Sequence, residues 1–279
     1  MIKAERKEND FEILISTMQR TNFSFLSKMF PSSDFSSYNI LIINQTEKGK
    51  ELISTYKNVK VVNAYEKGLS LSRNLAIKHA TGRICLFADD DIKYKNDFKE
   101  IIMASFDKKK DADIITFQME DDKGQLFKAY PNIEWHNQKT LLTVNSVVIA
   151  FRRSRVLRSG IRFNINFGLG AIFPTADEYI FLRDALKENI KIYFERAVIL
   201  THNYFSSGRV MGSDPMVFAR SALIYKYSGS LTYLKLIKYL YHAFMAHEIK
   251  LNEFGSKYMV GIKGIYHYKE LIKKGIEKR

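Results

Sequence analysis

The feature that most limits what this chain can become is Arg83-Ile84-Cys85-Leu86-Phe87-Ala88-Asp89-Asp90-Asp91-Ile92. A five-residue apolar run ends on three consecutive carboxylates. Bounded by turn signals, a run of that kind suits a strand buried on both faces. Three adjacent acids repel one another and need a cation to be stable together. In open α/β sheets, ligands bind beyond the carboxyl ends of the strands, which is where Asp89, Asp90 and Asp91 would stand. The stretch alone points to a metal-assisted site for a phosphate.

The flanking segments supply a sheet for it. Residues 11–16, 38–43 and 59–62 read as strands, with helices over 23–30 and 47–56. Strands alternating with helices at this spacing imply βαβ units and a largely parallel sheet. Thr17 and Asn44 then lie on the same edge as Asp89. Residues 68–82 predict a helix with Ser70 as N-cap, Leu71, Leu75, Ala76 and Ala80 on its apolar face, and Gly82 as a left-handed C-cap. Arg73 and Asn74 fall in its first turn, where Arg73 either reaches a phosphate or base or pairs with a nearby acid.

Beyond the acids, a helix over 95–106 and strands over 113–119, 143–151, 190–194 and 197–200 are expected. Asp121-Asp122-Lys123-Gly124 is a hairpin-type turn whose acids only form the turn. The loop Phe167-Gly168-Leu169-Gly170 leads into a helix that Thr175 is placed to cap. Asp177 and Glu178 occupy its first turn, where the helix dipole favours acids whatever else they do. His202 follows the last strand at once, with Asn203, Ser206, Ser207, Gly208 and Arg209 near enough in sequence to meet phosphate oxygens.

Metal plus diphosphate unifies these strand ends. Magnesium or manganese takes oxygen ligands, usually one or two carboxylates completed by phosphate and water. Asp89 and Asp91, two residues apart, can share a ribose hydroxyl and the metal. Asp90 points the other way unless a turn begins there.

In this order, the Ser16-Thr17 strand end, Gly68-Leu69-Ser70-Leu71-Ser72-Arg73-Asn74 and Ala80-Thr81-Gly82-Arg83 running into Asp89-Asp90-Asp91 resemble glycosyltransferase family 2, the nucleotide-sugar transferases of the GT-A fold. Phe167-Gly168-Leu169-Gly170 with Ala176-Asp177-Glu178, Leu182 and Arg183 is similar to that family's glycine loop and acidic pair. The resemblance covers about residues 11–210. It implies an α/β GT-A core and a metal-dependent, inverting transfer of a hexosyl-type sugar from a nucleoside-diphosphate sugar, a UDP-sugar foremost, to a glycan or lipid-linked hydroxyl. Carried over residue by residue, Thr17, Arg20, Asn44 and Gln45 surround the base and ribose, and Arg73 helps bind base or phosphate. Asp89 and Asp91 match the Asp-x-Asp motif for ribose and divalent cation (Mn²⁺ or Mg²⁺), with Asp90 beside them on the donor side. Glu178 and Asp177 match the acidic pair that supplies the base, and His202 matches a position completing the metal or diphosphate site. Two departures stand out. Asn44-Gln45-Thr46 replaces the usual aspartates at the second strand end, and the acidic pair runs Asp then Glu, leaving either as base.

A net charge of +14 over 279 residues asks for an anionic partner. The excess is heaviest towards the C-terminus, which favours a surface-binding segment over a uniformly basic groove. A boundary near Ser228 divides a core domain, 1–228, from a basic helical extension, 229–279. In that extension Leu231, Leu234, Ile237, Tyr241, Phe244 and Met245 recur at helical spacing, with Lys235, Lys238 and His242 between them. Such a helix either lies on an anionic membrane surface or packs its stripe on the main domain. No stretch is long and apolar enough to span a membrane, and the charged N-terminus lacks a signal-peptide core. Cys85 is the only cysteine, and a buried inert thiol fits a cytoplasmic protein, peripheral at most on the inner membrane face. His79, His136, His242, His247 and His267 have no context that assigns them a role.

Two rival classes remain. A sugar nucleotidyltransferase would need a glycine-rich basic signature after the first strand, which Ser16-Thr17-Met18-Gln19-Arg20 lacks. A non-enzymatic basic module for membrane or nucleic acid would explain the charge but not three carboxylates at a strand end, so no nucleic-acid partner is expected.

Overall fold

The computed structural model describes residues 9–203 and 211–278. In chain order the elements are β1 (Phe11–Met18), α1 (Ser24–Met29), β2 (Asn39–Gln45), β3 (Val59–Ala64), α2 (Leu69–His79), β4 (Ile84–Asp89), β5 (Lys93–Tyr94), α3 (Phe98–Lys108), β6 (Ile114–Glu120), β7 (Ile149–Arg152), α4 (Arg153–Ser159), α5 (Asp177–Lys187), β8 (Ile192–Thr201), α6 (Asp214–Ser228), α7 (Thr232–Met245) and α8 (Phe254–Lys273). They fall into two compact units: Met1–Phe163 with Glu178–Tyr204, and Asn164–Asp177 with Phe205–Arg279. The boundary expected at Ser228 therefore falls inside the second unit, which takes in α6 as well as α7 and α8.

The first unit is built on an eight-stranded sheet in the order β3-β2-β1-β4-β7-β6-β8-β5. β1, β2, β3 and β4 are mutually parallel, as are β6 and β8, while β7 and β5 run antiparallel to their neighbours. The apolar run of β4 is the sheet's centre: Ile84 to Ala88 are all buried. Phe87 meets the rings of Phe151, Phe163 and Phe181 at centroid distances of 4.8, 5.3 and 6.0 Å. Cys85 is buried within this core, and burial pushes its thiol well above the ordinary range.

Several sequence expectations are corrected. Residues 47–56 form no helix, because Gly49 takes φ +85° and the Asn63 amide holds Leu52 by both its N–H and C=O at 3.0 Å. Ser70 is not the cap of α2: Gly68 is, at φ +140°, and Ser70 is buried in the first turn. Gly82 is not a left-handed cap either. A Cβ there would lie 2.6 Å from Glu12 Cβ, and its N–H donates to Glu12 Oε2 at 2.7 Å. Its smallness lets the turn before β4 close onto β1. The strand expected over 143–151 shortens to β7 after two single 3₁₀ turns, and the two expected near 190–200 are one continuous β8. Asp121 does form a turn, its side chain accepting from the N–H groups of Lys123 and Gln125 at 2.9 Å.

In the second unit, α6 and α8 pack so closely that a Cβ on Gly264 would lie 2.2 Å from the Phe218 carbonyl oxygen. Leu236, Leu240 and Ala243 of α7 join Val217, Ile249 and Ile265 in its core, with Phe244 packed against them. Leu231, Leu234, Ile237, Tyr241 and Met245 face outward instead. Helix α7 thus carries two apolar faces, and among the described residues only one is covered. Among the described residues no helix is long and apolar enough to cross a membrane.

Candidate active site

The parallel register levels the strand ends. Ser16 pairs with Asp89, Thr17 with Asn44 and Met18 with Gln45, so the polar residues expected to act together emerge along one edge. Asp90 is gripped from β1: the Thr17 hydroxyl donates to its Oδ2, and Arg20 donates from Nε and Nη2, each at 2.7 Å. The guanidinium of Arg20 also lies 5.2 Å from the Phe25 ring centroid, which fixes its direction. Asp90 is therefore neutralised within the protein and braces the turn beneath its two neighbours.

Asp89 is held from α2. Arg73 Nη2 donates to Asp89 Oδ1 at 3.1 Å and to Ser146 Oγ at 2.6 Å, with Phe163 at 5.5 Å from the guanidinium. Arg73 is only 2% exposed. The pairing with an acid that the sequence allowed it is present. Its neighbour Asn74 is also structural, exchanging two hydrogen bonds of 2.8 Å with the backbone of Phe163.

At the end of β2, Asn44 is fully buried and its amide is spent internally. It accepts from Arg20 N–H and donates to Arg20 C=O and to Asn63 Oδ1, all at 3.0 Å. Gln45 Oε1 accepts from Gly68 N–H at 2.6 Å, tying β2 to the start of α2. Asn44 and Gln45 thus shape the walls of the edge from behind. Asn63 and Ser146 complete this scaffold and were missed in the sequence. Neither belongs to a recognisable motif, and their partners lie far away in the chain.

Asp91 is different. Its side chain is 63% exposed, and His202 Nε2 lies 3.7 Å from its Oδ1. His202 is aligned by its backbone N–H donating to Glu120 O at 2.9 Å, and its ring meets Phe127 edge-on at 5.7 Å. His202 Nδ1 sits 2.8 Å from the Asn203 carbonyl oxygen, an acceptor, so Nδ1 carries the proton. Nε2 is the ring nitrogen turned towards the Asp91 carboxylate. Among the described residues no group of three or more His, Cys, Asp or Glu side chains is assembled as a complete metal cage. Ser206, Ser207, Gly208 and Arg209 lie outside the described residues.

The acidic pair opens α5, directly after Ala176 at φ +69°. Glu178 is partly exposed and belongs to the same compact unit as the aspartates; Asp177 is buried and belongs to the other unit. The glycine loop before them is a tight turn, with Gly168 N–H donating to Phe173 O at 2.9 Å and the rings of Phe167 and Phe173 stacked at 4.7 Å.

Comparisons with known proteins bear on the fold and the family. The chain is similar in fold to the crystal structure of S. aureus TarS 1-349, with a TM-score of 0.54 and 14% identity over 97% of this chain and 93% of that one. The same TarS fragment in complex with UDP-GlcNAc gives a TM-score of 0.55 at 13% identity, with the same shares covered. No curated protein matches the sequence. The mostly parallel sheet flanked by helices is the GT-A architecture that the motifs implied. The sequence model described as "Glycosyl transferase family 2" matches residues 16–179, opening at the end of β1 and closing just past the acidic pair. The chain belongs to glycosyl transferase family 2 and is a glycosyltransferase.

Proposed function

We propose that this glycosyltransferase moves a sugar from a nucleoside-diphosphate sugar, a UDP-sugar foremost, to a hydroxyl of a glycan or lipid-linked acceptor, with inversion at the anomeric carbon. The observation that carries the reading is the division among the three aspartates: Asp89 and Asp90 are held by Arg73, Thr17 and Arg20, while Asp91 stays exposed opposite His202. The crystallised complexes of the similarly folded TarS with UDP and with UDP-GlcNAc favour a uridine donor.

Asp91 and His202 fit a Mn²⁺ or Mg²⁺ ion. One oxygen and one nitrogen donor stand within a few ångströms of each other, a set that suits a metal completed by phosphate oxygens. When bound, the ion would neutralise charge on the leaving diphosphate. In this reading Thr17, Arg20 and Arg73 fix Asp89 and Asp90, with Asn44 and Gln45 behind them, so that the donor's ribose meets a rigid edge. Glu178 takes the proton from the acceptor hydroxyl oxygen as that oxygen attacks the anomeric carbon. Asp177 is the other candidate base of the pair. The acceptor chemistry would be met at an anionic bilayer when the acceptor is lipid-linked.

The test is a thermal-shift screen of UDP-sugars with Mn²⁺, followed by product analysis. A cognate UDP-sugar should raise Tm only with metal present. Glu178→Gln should keep that shift while lowering turnover by about 10² to 10⁴-fold, the range for losing a general base. NMR of the product should show the inverted anomer. A retained anomer, or a Glu178→Gln enzyme with normal turnover, overturns the mechanism.

A further inference from the structure

The outward face of α7 is the strongest feature left unexplained by sugar transfer. At 100° per residue, Leu231, Leu234, Ile237, Lys238, Tyr241 and Met245 fall within an arc of about 120°. Their opposites Thr232, Leu236, Leu240 and Ala243 are buried. Exposure on the outer arc runs from 44% at Ile237 to 67% at Leu234. A stripe of this length left open on a monomer marks a contact surface.

Charge decides what covers it. Lys235 and His242 border the stripe and Lys238 lies within it, while no Asp or Glu occurs anywhere between Asp214 and Glu248. An apolar stripe bordered by cations on a helix that carries no acid of its own matches the acyl–headgroup boundary of an anionic bilayer, where lysine stems lie along the apolar region and their ammonium groups meet lipid phosphates. A second copy of the chain is the poorer occupant, since stacking this face on itself would bring Lys235 and Lys238 against the same cations.

We infer that the outer face of α7, Leu231 through Met245, seats this enzyme on anionic membrane by in-plane insertion. This deepens the bilayer part of the reading above. Its test uses no donor or acceptor, so the two fail separately: intact vesicle binding with no sugar transfer would count against the transferase reading alone.

The experiment is co-sedimentation of the full chain with phosphatidylglycerol–phosphatidylcholine vesicles and with pure phosphatidylcholine vesicles. Binding to the anionic vesicles should be at least about tenfold stronger. Leu234→Ser with Tyr241→Ser should reduce it by at least about tenfold, and Lys235→Gln with Lys238→Gln by about fivefold per lysine. All four substitutions are at exposed positions, and unchanged circular dichroism and Tm would show the fold intact. Binding that survives both double variants overturns the inference. So does a dimer, seen by sedimentation velocity and dissolved by Leu234→Ser, in a chain that ignores vesicles.

Discussion

Asn44 is where this chain departs most informatively from its family's pattern. Where aspartates are usual, it carries an amide that must donate twice and accept once. A carboxylate can only accept, so Asn44→Asp would set an anion against the Arg20 carbonyl and Asn63 Oδ1. Stability should fall by about 1–3 kcal/mol, the cost of buried groups left unsatisfied. Urea unfolding measures it, and an unchanged midpoint would return Asn44 to a ligand-facing role. The sequence placed Asp89 to Asp91 together at a strand end but did not show how their contacts divide. Residue spacing cannot tell that Arg73 is sealed under Phe163 or that Asn63 reaches back to Leu52, since both contacts depend on how distant segments pack.

Among elements, the parallel strands and the helices between them were legible because buried runs and turn residues repeat in the order a βαβ chain demands, whereas the fifteen-residue α6 was not expected. The expected helix over 47–56 was not, because its fate rests on one side chain from β3. The turn into β4 teaches the same lesson. Glu12, buried on β1, accepts from the N–H groups of both Thr81 and Gly82, at 2.5 and 2.7 Å. Gly82→Ala should therefore cost about 1–3 kcal/mol through overpacking rather than through helix capping. Chemical denaturation would detect it. A neutral substitution would mean that β1 and the turn can separate without loss.

The whole molecule carries a built-in pH dependence. His136 is buried between Thr116 Oγ1, 2.8 Å from its Nε2, and Thr140 Oγ1, 3.1 Å from its Nδ1. Desolvation lowers its pKa from 6.5 to about 4. The folded state therefore binds this proton less readily than the unfolded chain. Its contribution to stability is complete above pH 6.5 and is lost as pH falls from there towards 4. The shift corresponds to about 3 kcal/mol. Urea midpoints measured between pH 7.5 and 4 should fall, and His136→Gln should flatten that fall. An equal slope in the variant would assign the loss to other groups. At this scale the sequence foresaw a core and a basic extension, but it did not foresee that α5 straddles two compact units between Asp177 and Glu178. No composition shift marks that join.

One consequence follows from the solitary Cys85, sealed in the strand that ends on the aspartates. A thiol that is both buried and raised in pKa does not react while β4 stays paired. Every modification event in the intact chain therefore records one opening of the central strand. The protein carries its own clock, one tick per molecule, set at the foot of its active site.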